Sequence, residues 1–131
     1  MRNFQTLDQI YFDEQAQVIH LTATEGGQLN PRLALRVEGE HVALSASCGP
    51  IEIALRPRTL ELRRSLKQVQ PSESLLSARN VGTVQAYLAI ALRPDGRLVL
   101  RPTIIADAYG HLCFNVELTN PVRERLIELL G

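Results

Sequence analysis

His111 and Cys113 come nearest to chemistry in this chain. Two apart on a strand, they share one face, opposite Leu112 and Phe114. A cysteine beside a histidine is the minimum for a thiolate nucleophile with an imidazole base. Asn115 and Glu117 continue that face, and Asp107 lies just upstream. A histidine base also needs a partner that orients it, and nothing in the sequence places one. The plainer reading is a strand showing its polar side, with Cys113 a small hydrophobe. No catalytic residue is assigned. His111 and Cys113 are the pair an enzyme reading would use.

Other chemistries find less. Structural zinc sites pair their ligands at short spacing, whereas Cys48 and Cys113 lie far apart in the chain. Glu25-Gly26-Gly27 is not followed by the Gly-Lys-Ser/Thr of a phosphate loop, and no dinucleotide fingerprint, HExxH or GxSxG occurs. No metal and no cofactor is expected.

A second constellation is apolar and basic. Residues 87–103 read YLAIALRPDGRLVLRPT, two strands joined by a turn. Pro94 presets the first corner, Asp95 suits the second, and Gly96 can take the left-handed conformation that closes such a loop with a bulge. Leu88 and Ile90 face one way. Tyr87, Ala89 and Ala91 face the other, where the neighbouring strand adds Val99 and Ile105, with Arg93, Arg97 and Arg101 at the rim. Small apolar residues beside an aromatic, bordered by arginines, have the composition of a protein interface. The expected occupant is a second copy of the chain, making a homodimer. The competing cover is one of the chain's own helices, 59–69 or 121–130.

Thirteen of the fourteen basic residues are arginine, which fits either a GC-rich genome or selection for bidentate binding of carboxylate or phosphate. They are unevenly spread. Residues 1–54 carry seven acids and three bases, 55–101 three acids and nine bases, 102–131 four acids and two bases. Arg56, Arg58, Arg63, Arg64, Lys67 and Arg79 make the middle basic. A nucleic-acid footprint adds aromatics for stacking, and residues 55–86 contain none. A solvated helical face, or a surface for an acidic protein partner, suits these residues better than nucleic acid.

The elements that must position these groups follow from periodicity. Phe4, Leu7, Ile10 and Tyr11 fall at helical spacing and predict a short N-terminal helix, with a strand beginning at Ile10 as the alternative. Residues 18–24 alternate as a strand. Three more strands put Leu33, Leu35 and Val37, then Val42, Leu44 and Ala46, then Ile51, Ile53 and Leu55 on a buried face. Leu62, Leu66 and Val69 mark a helix over 59–69, and Pro71 ends it. Ser72 opens a second short helix with Leu75, Leu76 and Ala78, ended by Asn80-Val81-Gly82. Val84 to Leu92, Leu98 to Ile105 and Leu112 to Leu118 are strands. Asn120 caps a final helix that has Pro121 in its first turn.

The fold class is α+β: antiparallel sheet in two meanders, a helical segment between them and a short C-terminal helix. The alternative is a mostly-β sandwich or barrel with a C-terminal helix. A chain of 131 residues reads as a single globular domain, 1–131. No apolar run reaches membrane-spanning length, and the first residues lack the apolar block of a signal peptide. A cytoplasmic location with reduced thiols at Cys48 and Cys113 is expected, with no membrane partner.

Leu75-Leu76, Asn80, Leu92 and Asp95-Gly96-x-Leu98-Val99-Leu100 resemble a short signature of the class I type III secretion chaperones. Residues 75–105 carry the resemblance. In that family a helix bearing Leu-Leu and Asn precedes a hairpin with an Asp-Gly turn, and homodimers bind an extended segment of a partner protein without catalysis. The resemblance implies a chaperone-like interaction or assembly domain. The alternatives are a small-molecule binder or enzyme using the His111/Cys113 face, and a nucleic-acid accessory protein using the central arginines.

Overall fold

A computed structural model describes residues 4–72 and 78–131. The chain is α+β with two sheets, and most of it is strand. The first sheet is an antiparallel meander of five strands in sequence order: β2 (Gln9–Asp13), β3 (Val18–Thr22), β4 (Arg32–Glu38), β5 (His41–Cys48) and β6 (Ile51–Leu55). Period-two patterning dictates its faces. Ile19, Leu21, Leu33, Leu35, Val42, Leu44, Ala46, Ile53 and Leu55 are buried. Val37 and Ile51, expected on that face, are exposed, because they sit at strand ends beside the Gly39 and Gly49 turns, beyond the edge of the core.

The second sheet is mixed. Its order is β1 (Phe4–Leu7), β11 (Asn115–Leu118), β9 (Leu98–Asp107), β8 (Ala86–Leu92) and β7 (Arg79–Gly82), with β10 (Gly110–Cys113) also paired to β9. Every pair is antiparallel except β1 with β11. The expected N-terminal helix is therefore absent, and its residues form two strands in different sheets. The chain changes sheets at Asp8, whose carboxylate accepts the Thr24 N–H at 2.8 Å while its own N–H donates to the Thr22 carbonyl at 3.1 Å. Phe4, Leu7, Ile10 and Tyr11 mimic a helical stripe only because the count runs across this switch.

Three further expectations change. Asn80-Val81-Gly82 does not end a helix but lies in β7. Gly82 has φ +135°, and a Cβ there would lie 2.5 Å from the Ala86 carbonyl oxygen, so only glycine lets β7 turn so tightly into β8. Val84, expected on the buried face of that strand, is in the turn and 89% exposed. The last strand is interrupted at Phe114, and Leu112 is exposed because β10 follows β9 past the end of the core. The helix predicted from Ser72 rests on residues 73–77, which lie outside the described residues.

Helix α1 (Thr59–Gln68) buries Leu62 and Leu66, and α2 (Asn120–Leu130) buries Val122, Leu126 and Leu130. Thr119, not Asn120, is the residue that flanks α2; its carbonyl accepts the Arg123 N–H at 2.9 Å. These stripes join Leu88, Ile90, Leu98, Leu100, Val116 and Leu118 of the mixed sheet and the inward face of the meander in one continuous core. Among the described residues no helix is long and apolar enough to cross a membrane.

Candidate functional site

The turn at Pro94-Asp95-Gly96 sets the geometry of the outer face of the mixed sheet. Arg93 N–H donates to the Arg97 carbonyl and Gly96 N–H to the Arg93 carbonyl, both at 2.9 Å, while Asp95 Oδ1 accepts the Arg97 N–H at 3.0 Å. Gly96 has φ +90°, as a left-handed closing residue requires. The three-residue loop thus leaves Arg93 and Arg97 opposite each other at the strand mouths, on the same side as Tyr87, Ala89, Ala91, Val99 and Arg101.

Both arginines reach one carboxylate. Arg93 Nη1 lies 2.8 Å from Glu117 Oε2 and Arg97 Nη1 2.7 Å from Oε1, which also accepts the Thr6 hydroxyl at 3.1 Å. The Glu117 side chain is only 8% exposed. Thr6 is there because β1 runs parallel to β11, with Thr6 opposite Glu117 and Phe4 opposite Asn115. The Phe4 ring lies beneath the Arg93 guanidinium, 5.9 Å from its carbon.

The third arginine behaves differently. The register aligns Asn80, Ala89 and Arg101 in one row across β7, β8 and β9. Arg101 Nε donates to Asn115 Oδ1 at 2.7 Å, extending the row to β11. Arg101 Nη2 is shut off from solvent and, among the described residues, has no hydrogen-bond partner. Ala89 and Ala91 place only small side chains on this side of β8. The result is a depression of about 220 Å³ lined by Ala78, Asn80, Tyr87, Ala89, Ala91, Val99 and Arg101. All seven residues of the expected interface, Tyr87, Ala89, Ala91, Arg93, Arg97, Val99 and Arg101, therefore share this face. Val99 and Ala91 are already buried, Val99 to 1% exposure, so they have almost no area left to give to a partner. The apolar stripes of α1 and α2 belong to the core between the sheets.

His111 and Cys113 project from the same face. Their register partners are Ile105 and Thr103, so the catalytic and interface candidates, read as separate sites in the sequence, occupy one surface. His111 is exposed and Cys113 is a half-buried free thiol. Among the described residues neither side chain has a hydrogen-bond partner, so no group orients the imidazole. Among the described residues no three His, Cys, Asp or Glu side chains gather as a metal site would require.

The central arginines divide their work. Arg63 Nε donates to the Leu130 carbonyl and Lys67 Nζ lies 3.4 Å from the Gly131 oxygen, so both serve the end of α2, where cations complement the helix dipole. Arg56 pairs with Glu38 across the meander. Half of the basic run is thus engaged in holding the fold. Sequence reasoning missed Asn80, Phe4 and Thr6. No local signal marks them, because pairings with strands far along the chain bring them to the face.

Protein-family models, curated proteins and solved structures were all compared with this chain, and none matches.

Proposed function

We propose that this protein is a non-catalytic interaction domain whose outer mixed-sheet face receives an acidic segment of a partner protein. One observation carries the reading: among the described residues three arginines, Arg93, Arg97 and Arg101, stand around the carboxylate of Glu117, and the innermost, Arg101, has no acidic partner there. Arginine forks select carboxylates by geometry as well as charge. An unbalanced positive patch steers acidic partners toward it and rejects basic ones. The resemblance of residues 75–105 to chaperones that hold an extended partner segment points the same way, although Asn80 lies here on a strand.

A second copy of the chain fits this face less well than an acidic partner. A two-fold interface sets the same arginine-rich patch against itself, and the like net charge opposes that pairing. The enzyme alternative has a thiol and an imidazole without an orienting group. The nucleic-acid alternative loses Arg63, Lys67 and Arg56 to structural contacts.

Isotope-edited NMR of the protein titrated with a blocked glutamate-containing peptide tests the proposal. Amide shifts in β8, β9 and β11, weakening as salt is raised, are expected. Shifts confined to the meander sheet, or none at millimolar peptide, would reject it. Sedimentation at micromolar concentration should show a monomer near 14.6 kDa. A dimer abolished by Ala89→Arg would instead favour self-association.

A further inference from the structure

We infer that a depression on the outer face of the meander takes one small, uncharged, planar aromatic molecule. This goes beyond the acidic-partner reading and lies on the other sheet. The register builds the floor. Ala34, Ala43 and Ala54 point outward from the adjacent strands β4, β5 and β6, with Ser45 paired to both Ala34 and Ala54. Methyl groups at strand spacing, about 4.8 Å per step, make a flat apolar surface. Ala54 is exposed and Ala34 and Ala43 are half-buried, so a ligand reaches the floor from solvent. Ser72 and Arg79, which flank the residues outside the described set, lie beside β8 in the other sheet. The space is about 400 Å³. Small-molecule sites hold roughly 300–1,000 Å³.

The rim selects the occupant. On one side Arg36 and Arg56 converge on Glu38, and on another the Ser45 hydroxyl donates to Glu52 at 2.6 Å. Two arginines and two glutamates balance, so a charged ligand gains nothing here, unlike on the mixed-sheet face. Arg36 gives both Nε and Nη2 to one Glu38 oxygen. A guanidinium fixed along one edge stacks on an aromatic ring at little further cost in entropy. His20, paired to Ala34, stacks on Tyr11 at 4.7 Å and closes the end of the floor with more aromatic surface. The Ser45 oxygen has lone-pair capacity left for a ring N–H. With three sides bounded, the floor suits a free molecule better than a side chain on a continuous peptide.

Indole is the probe, and cyclohexanol, uncharged but not planar, is its control. In methyl-labelled protein, indole should move the Ala34, Ala43 and Ala54 resonances upfield through its ring current, saturably at millimolar concentration. Cyclohexanol should leave them in place. Ala54→Leu fills the depression from an exposed position and should weaken indole binding by about tenfold or more. Ala54→Gln fills the same space with a polar side chain and repeats the test if Leu perturbs the fold. Arg56→Gln should weaken indole by about threefold, the loss of one cation–π contact. Equal shifts with cyclohexanol, no shift with indole, or unchanged affinity in both Ala54 variants would overturn the proposal. A blocked glycine–tryptophan–glycine peptide that bound more tightly than indole would overturn it too, by making the occupant a protein side chain. None of these readouts depends on the mixed-sheet face.

Discussion

Two carboxylates are each gripped by two arginines, one on the outer face of either sheet, and their surroundings could hardly differ more. Glu38, on the meander, takes Arg36 from its own strand and Arg56 from the end of β6, and its side chain is 25% exposed. Glu117, on the mixed sheet, takes Arg93 and Arg97 across a turn and is 8% exposed. The meander face also carries a depression of about 400 Å³ lined by Ala34, Ala43, Ala54, Arg36 and Arg56. Tyr11 stacks on His20 at 4.7 Å, Ser45 donates to Glu52 at 2.6 Å, and Ala34, Ala43 and Ala54 lie open between them. On the mixed sheet β1 pairs alongside β11 and puts Thr6 beside Glu117, and among the described residues a third arginine has a buried donor without a partner. The same residue types make a half-exposed carboxylate cluster in one sheet and a nearly buried one in the other. What separates them is the non-local pairing of β1 with β11.

The shared core is the background to this contrast and should give the largest effects. Leu88→Ala or Ile90→Ala should cost about 2–5 kcal/mol in chemical denaturation, since both side chains are fully buried between the sheets. A change below half a kcal/mol would mean that the faces of β8 are reversed. Next comes the difference between the carboxylates. Glu117→Ala leaves two guanidiniums and the Thr6 hydroxyl without their acceptor and should cost about 2–3 kcal/mol. Glu38→Ala removes exposed pairs and should cost much less than Glu117→Ala. Equal losses would erase the contrast. The turn that brings Arg93 and Arg97 together gives a third effect. Gly96→Val should cost about 1–3 kcal/mol, clearly more than Asp95→Ala, because a β-branched residue fits a φ of +90° badly.

Acid titration gives a smaller effect with a definite sign. Hydrogen bonding from Arg36 is the main cause that holds the Glu38 carboxyl below its ordinary value of 4.5. Burial opposes it, and the charges of Arg36 and Arg56 add to it. Asp8 is likewise held below 3.8, chiefly by the Thr24 N–H. A carboxyl whose pKa falls on folding stabilises the native state at pH values above the unfolded pKa. That contribution disappears as the pH drops through the folded pKa. Stability should therefore decline below pH 4.5, and Glu38→Gln should flatten the first part of that decline. An unchanged slope would remove Arg36 and Arg56 from the account. Iodoacetamide should modify Cys48 and Cys113 at comparable slow rates near neutral pH, and a fast Cys113 would revive the enzyme alternative.

Local chemistry made much of this legible. Strict alternation gave the strands of the meander, because each has one wet face and one buried face. Pro94-Asp95-Gly96 located the hairpin and the arginine pair beside it. Leu62 and Leu66 marked α1. Illegible were the features that depend on distant partners. Phe4 and Thr6 reach the site through a strand pairing with residues 111 positions away, which leaves no periodic trace. Asn80 sits beside a glycine that reads as a helix stop, yet Gly82 is there to permit a tight turn between strands. Val99 and Ala91 are buried although they lie on the side away from the shared core, which alternation alone does not report.

A paired substitution tests most directly the claim that one outer face is a prepared acid-binding surface and the other is not. Affinity for the blocked glutamate-containing peptide should fall by about tenfold or more in Arg101→Gln, the loss of one charged hydrogen-bond donor. In Arg56→Gln it should stay within about twofold, as for an exposed arginine outside the site. Equal effects of the two changes, or a larger loss at Arg56, would contradict the account.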